Sequence, residues 1–141
     1  DAAGAVTRLV DMGVEPFLVA ESLEGVLAQR LVRTICKECR APSEPSEALI
    51  NQLGLSPHEL GDKEFYTGQG CDKCGNGYKG RQGLFELLDV TDPIRELITK
   101  RSPSVVIKQK AIELGMQTLR EDGLRNIYTG STSIEEVLKY T

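Results

Sequence analysis

Residues 23–39, LEGVLAQRLVRTICKEC, run an alternating apolar segment directly into a pair of cysteines, and the fold turns on that junction. Val26, Ala28, Arg30 and Val32 alternate with Leu27, Gln29, Leu31 and Arg33, and this period of two predicts a strand. The strand ends at Cys36-Lys-Glu-Cys39, and a second pair, Cys71-Asp-Lys-Cys74, follows after 31 intervening residues. A two-residue gap lets both sulfurs of a pair point inward from one tight turn. Four thiolates at about 2.3 Å then satisfy a tetrahedral Zn²⁺ as a closed structural site with no open position for catalysis. Two alternatives stay open at this point: a pair of disulfides in a secreted protein, and a redox-active dithiol, although the βαβ setting of the latter is missing.

Between Cys36 and Arg81 the composition shifts, with all four cysteines, three of the six prolines and seven of the 14 glycines, which predicts a small, loop-rich module. Inside it Ser46 caps a short helix through Leu53, with Gly54 placed to end it. His58, in the SPHEL turn, has no partner at ligand spacing and reads as solvated. On the far side GLFELLDV, residues 83–90, reads as a second strand. Before the first strand, Asp1 caps a helix over Ala2–Met12 that Gly13 stops, and PFLVA, residues 16–20, fits strand or helix.

The last third reads as helical. Asp92-Pro93 and Ser102-Pro103 each look like an N-cap followed by a first-turn proline, with Gly115 closing the second helix. LREDGLRNIY, residues 119–128, makes another helix despite Gly123. A capping box, Thr132 with Glu135 or Ser133 with Glu136, opens the last. The acidic pairs Glu121-Asp122 and Glu135-Glu136 read as solvated or helix-start charges rather than an acid and base pair.

With 141 residues, 40% hydrophobic and 27% charged, the chain suits a globular protein of one domain or two small pieces. Lys and Arg number 17 against 21 Asp and Glu, a net charge of −4, the wrong sign for wrapping nucleic acid. Tyr78, Lys79 and Arg81 could still offer a small patch to a strand; the glycines around them fit equally well as the positive-φ positions of a turn beside the metal, with Arg81 tying down a helix end or carboxylate. No apolar run approaches the roughly 20 residues that span a bilayer. No GxxxxGK[ST], GxSxG or HExxH occurs, so no catalytic centre can be named. Arginines at 30 and 33 suit edge salt bridges as well as a phosphate. The opening DAAGAVTRLVDMG, with no initiating Met, predicts a segment of a longer protein.

Residues 1–36, the paired CxxC, GYKGRQGLFELLDV (77–90), DPIRELI (92–98), LREDGL (119–124) and TSIEEVLKYT (132–141) resemble, in order, the C-terminal portion of the bacterial traffic ATPases. These are the hexameric motors of type II secretion and type IV pilus assembly. The resemblance implies a mixed α/β fragment: the edge of a RecA-like ATPase core over residues 1–33, an inserted four-cysteine zinc module over 34–80, and a return strand with a C-terminal helical subdomain over 81–141. It implies that Leu23–Arg33 pairs antiparallel with Gly83–Val90, and that Gln29 and Arg30 face the nucleotide side. The phosphate-binding loop, with ATP and magnesium, would lie upstream in the parent, leaving this segment non-catalytic. The four cysteines, Cys36, Cys39, Cys71 and Cys74, would hold structural zinc, since a cytoplasmic compartment removes the disulfide option. Implied partners are the other subunits of a homohexamer and inner-membrane platform proteins, through which the parent would associate peripherally with the membrane without inserting, and not nucleic acid. A free-standing zinc-ribbon binding module for nucleic acid or protein is the alternative. Cys71→Ser is expected to unfold the module and leave the helices after Asp92 largely intact.

Overall fold

A computed structural model describes residues 1–141, the Pro57 side chain excepted. In chain order the elements are α1 (Ala2–Asp11), α2 (Pro16–Ser22), β1 (Gly25–Ile35), β2 (Arg40–Ser43), α3 (Glu47–Leu53), α4 (Pro57–Leu60), β3 (Phe65–Gly68), β4 (Tyr78–Asp89), α5 (Asp92–Thr99), α6 (Ser104–Glu113), α7 (Leu119–Tyr128) and α8 (Ile134–Tyr140). β1 pairs with β4, and β2 pairs with β3. The Val90 N–H donates to the Glu24 carbonyl, and the Thr34 hydroxyl to the Lys79 carbonyl, so β1 and β4 run antiparallel. The chain packs as two compact units, residues 1–29 with 85–119 and residues 30–84 with 120–141.

In the first unit Asp1 caps α1, its carboxylate accepting from the Gly4 N–H at 2.8 Å. The open reading of PFLVA resolves as helix: Pro16 sits in the first turn of α2, where its missing N–H costs no bond. Ala2, Ala3, Val6, Val19, Ala20, Leu88, Val90, Ile94, Ile98, Ile107 and Ala111 form the core. Small residues on α1 and α2 let α1 pack closely on α6 and α2 on α5, while each fully buried Leu or Ile contributes about 1.5–3 kcal/mol. Glu86 is buried on β4, and its carboxylate accepts from the Ala2 N–H at 2.8 Å and the Leu119 N–H at 3.2 Å. One negative charge thus serves the N-terminal ends of α1 and α7, where the helix dipole is positive. The expected caps shift by one residue: Thr91 precedes α5, with Pro93 in its first turn, and Pro103, not Ser102, occupies the N-cap position of α6. Neither N-cap makes a side-chain cap hydrogen bond, so here proline geometry starts the helix.

In the second unit the module is more ordered than its glycine and proline content predicts. β2 and β3 pair antiparallel, Arg40 opposite Gly68 and Ser43 opposite Phe65. The Ser46 cap holds, accepting from the Leu49 N–H at 3.3 Å, and Gly54 ends α3 at φ 77°, a conformation open to glycine. α4 is the helix not foreseen: Ser56 and Glu59 cap each other's backbone N–H across one turn, and exposed His58 rides on it. β4 begins at Tyr78, five residues before the expected Gly83.

α7 covers residues 119–128 as read, and Gly123 has a packing reason. A Cβ there would lie 2.5 Å from Cγ1 of Val137 on α8. Ser133 caps α8, accepting from the Glu136 N–H at 3.3 Å, but no reciprocal box forms. Glu136 instead turns inward. Its carboxylate accepts from the Arg33 backbone N–H at 2.8 Å, from Nε at 2.9 Å and from Nη2 at 2.7 Å. Glu136 is therefore buried, and so is Asp122, which pairs with Arg125; neither is a solvated charge. Burial by itself would raise the Glu136 pKa, but the bonds and charge of Arg33 outweigh it and hold the carboxyl below its usual range.

Candidate metal centre

Cys36 follows directly on β1, and Cys39 directly precedes β2, so the four-residue connection 36–39 carries the first two sulfurs. The Cys36 N–H donates to the Gly77 carbonyl at 2.8 Å, and the Gln69 N–H to the Cys39 carbonyl at 3.1 Å, lacing the first knuckle to the second. Two glycines allow this approach. A Cβ on Gly68 would overlap the Gly77 carbonyl, and Gly77 itself sits at φ 95°. Gly70 donates its N–H to Cys39 Sγ at 3.3 Å, the kind of bond that orients and stabilises a thiolate.

Cys36, Cys39, Cys71 and Cys74 bring their sulfurs within 4.8 Å of one another. Cys36 lies 3.9 Å from Cys71, Cys39 lies 3.8 Å from Cys74, and Cys71 lies 3.6 Å from Cys74. A tetrahedral ion with metal–sulfur bonds of about 2.3 Å has edges of about 3.8 Å, so the donor set fits a closed four-thiolate site. No sulfur is bonded to another: all four cysteines are free thiols. Without an ion the four groups compete for protons. For Cys71, the backbone N–H of Lys73 favours the thiolate but burial and the three neighbouring sulfurs win, pushing it up to about 12. For Cys74, burial opposes ionisation, yet bonds to the backbone of Cys71 and Gly77 and to neighbouring sulfurs bring it down to about 7. Burial raises Cys39.

Gln29 and Arg30 are exposed on β1. Tyr78 is engaged rather than presented: its hydroxyl is 2.6 Å from the Ser133 hydroxyl, and the Arg33 guanidinium lies 4.1 Å from its ring centroid. Lys79 and Arg81 are exposed. Gly77 and Gly80 take the positive φ expected of turn glycines beside the metal, whereas sequence reasoning missed Gly68 and Gly70, for which the density of glycine before the second CxxC was the available signal. No helix among the described residues is long and apolar enough to cross a membrane.

Residues 1–139 match the family described as type II/IV secretion system protein. The chain belongs to that family. Within it, the chain is 48% identical to a type IV pilus assembly ATPase PilB of Thermus thermophilus over 142 residues, covering 100% of this chain and 16% of that protein. It is 43% identical to a type II secretion system protein E of Pseudomonas aeruginosa, covering 99% of this chain and 28% of that protein. Identity to a type II secretion system ATPase E of Vibrio cholerae is 44%, covering 99% of this chain and 27% of that protein. The chain thus spans less than a third of the length of these relatives.

Proposed function

We propose that this chain is the C-terminal segment of a hexameric cytoplasmic ATPase that powers type II secretion or type IV pilus assembly, acting at the inner membrane through platform proteins. The observation that carries the reading is the family match over residues 1–139, with relatives named as pilus assembly and secretion ATPases. The parent binds ATP and magnesium on a phosphate loop outside these residues, and Gln29 and Arg30 lie toward the nucleotide side. Exposed apolar side chains support a place at the edge of a RecA-like core: Leu27, Leu31, Phe85 and Leu87 stay 46–62% accessible along β1 and β4. A sheet face of that character needs a covering layer. In the family layout, residues 1–33 end the core, 34–80 form the metal insertion, and 81–141 supply the return strand and helical subdomain. Chain order defines that partition, whereas packing defines the two compact units.

The cysteine cluster holds zinc in a structural role, since four thiolates at tetrahedral spacing suit Zn²⁺ and leave no position for a substrate. When bound, zinc supplies folding free energy, on the order of 10 kcal/mol, to a segment with little apolar area. Elemental analysis of the purified chain should give about one zinc per molecule, falling to a small fraction in Cys39→Ser/Cys74→Ser. The upstream coding sequence should contain GxxxxGK[ST] after a predicted strand, and its absence would overturn the ATPase reading.

A further inference from the structure

An open groove of about 780 Å³ lies in the second unit, between β2, α3 and the start of β3. Pro42, Ile50 and Phe65 give it apolar walls, and Glu44, Glu47 and Glu64 stand among its lining residues. The size suits one turn or two of a docked peptide helix. Residues 44–64 carry Glu44, Glu47, Glu59, Asp62 and Glu64 against Lys63, a net −4 that equals the charge of the whole chain. Lys63 also lines the groove and keeps its charge beside the Tyr128 ring, 5.1 Å from the centroid, so the lining sets Glu44, Glu47 and Glu64 against one cation and stays net negative. Apolar walls with acidic edges complement a peptide that has one apolar and one cationic face, and they repel anionic lipid.

We propose that this groove is a docking site for a basic, amphipathic segment in the cytoplasmic loop of a membrane protein. Such loops carry an excess of Lys and Arg, the complement of this surface. The groove's preference rests on its own geometry and charge, and the source of the peptide rests on the function proposed above.

The probe is a synthetic amphipathic helix of leucine and lysine, titrated into the full 141-residue chain loaded with zinc and followed by amide NMR. Shifts should centre on Ile50 and Phe65, and Glu44→Lys/Glu47→Lys should weaken binding by about tenfold or more. Glu15→Lys/Glu21→Lys, the same charge change at exposed positions of the first unit, should leave affinity within about twofold. Equal binding of a leucine and glutamate peptide, equal losses in the two double variants, or capture by phosphatidylglycerol vesicles would overturn the proposal. In cells, deletion of the parent gene provides the reference. If deletion abolishes secretion or piliation, Glu44→Lys/Glu47→Lys must lower it at unchanged protein level, and normal output from that variant would refute the membrane-protein source. If deletion affects neither process, the function proposed above fails while the peptide titration still judges the groove.

Discussion

Gly123→Ala tests whether the contact between α7 and α8 is as tight as the structure has it. Replacing a glycine inside a helix by alanine normally stabilises by about 0.5–1 kcal/mol. Here the added methyl would lie 2.5 Å from Val137 Cγ1 and 3.0 Å from Cγ2, well inside the 3.5–4.0 Å of ordinary carbon contact. Val137 is fully buried, and a β-branched side chain in a helix has one strongly preferred rotamer, so it cannot swing aside. Overpacking of that kind costs about 1–3 kcal/mol, which exceeds the propensity gain and leaves a net loss of about 0.5–2 kcal/mol. Val137→Ala alone should cost about 2 kcal/mol through the cavity it leaves. In the double variant the new methyl fills part of that cavity, so the combined loss should fall short of the sum by about 1 kcal/mol. Urea unfolding of the zinc-loaded chain, with equal slopes required across the four proteins, measures the cycle. A Gly123→Ala chain as stable as wild type, or strict additivity, would refute the argument.

Other expectations follow from the metal unit and its ion pair. Cys71→Ser, or chelation, should lose the order of β2, α3 and β3 and also loosen α7 and α8, because residues 120–141 pack in the same unit, while α5 and α6 keep slow amide exchange. The packing narrows the expected sparing of the helices after Asp92 to α5 and α6, and uniform loss of protection would contradict it. Gly68→Ala should lower metal affinity by at least tenfold in a competition titration, since the methyl overlaps the Gly77 carbonyl and forces the knuckles apart. Glu136 has a folded pKa below its unfolded value of about 4.3, so its ionised form adds stability above that pH, and the contribution is lost as pH falls toward the folded value. Glu136→Gln should therefore be less stable than wild type at pH 7, and the gap should narrow under acid; a gap that widens under acid would reverse the sign of this account.

What could be read in the sequence was whatever is local. Ser46 and Gly54 bracket α3 because a cap acts on the backbone three residues away, and each CxxC pair is a turn of its own. The pairing of the two knuckles was legible too, since a four-thiolate site constrains spacing directly. Glu136 was legible as a first-turn charge of α8, but not as a buried one, because its partner, Arg33, stands 103 residues away and nothing periodic marks a long-range ion pair. Glu86 was invisible for the same reason: a single acidic residue in an apolar strand gives no hint that it serves two distant helix starts. PFLVA is too short for its periodicity to separate strand from helix, and only packing against α5 decides it.

The interleaving of the two units sets the order in which they can be completed during synthesis. The first unit opens with residues 1–29 but must wait for residues 85–119, and the second starts and pauses inside that gap before residues 120–141 complete it. All four cysteines leave the ribosome within the gap, ahead of the whole of β4 and of the helices that finish either unit. Metal capture can therefore come first, fixing the turn that reverses the chain and delivering β4 back toward β1 before the rest of the protein exists.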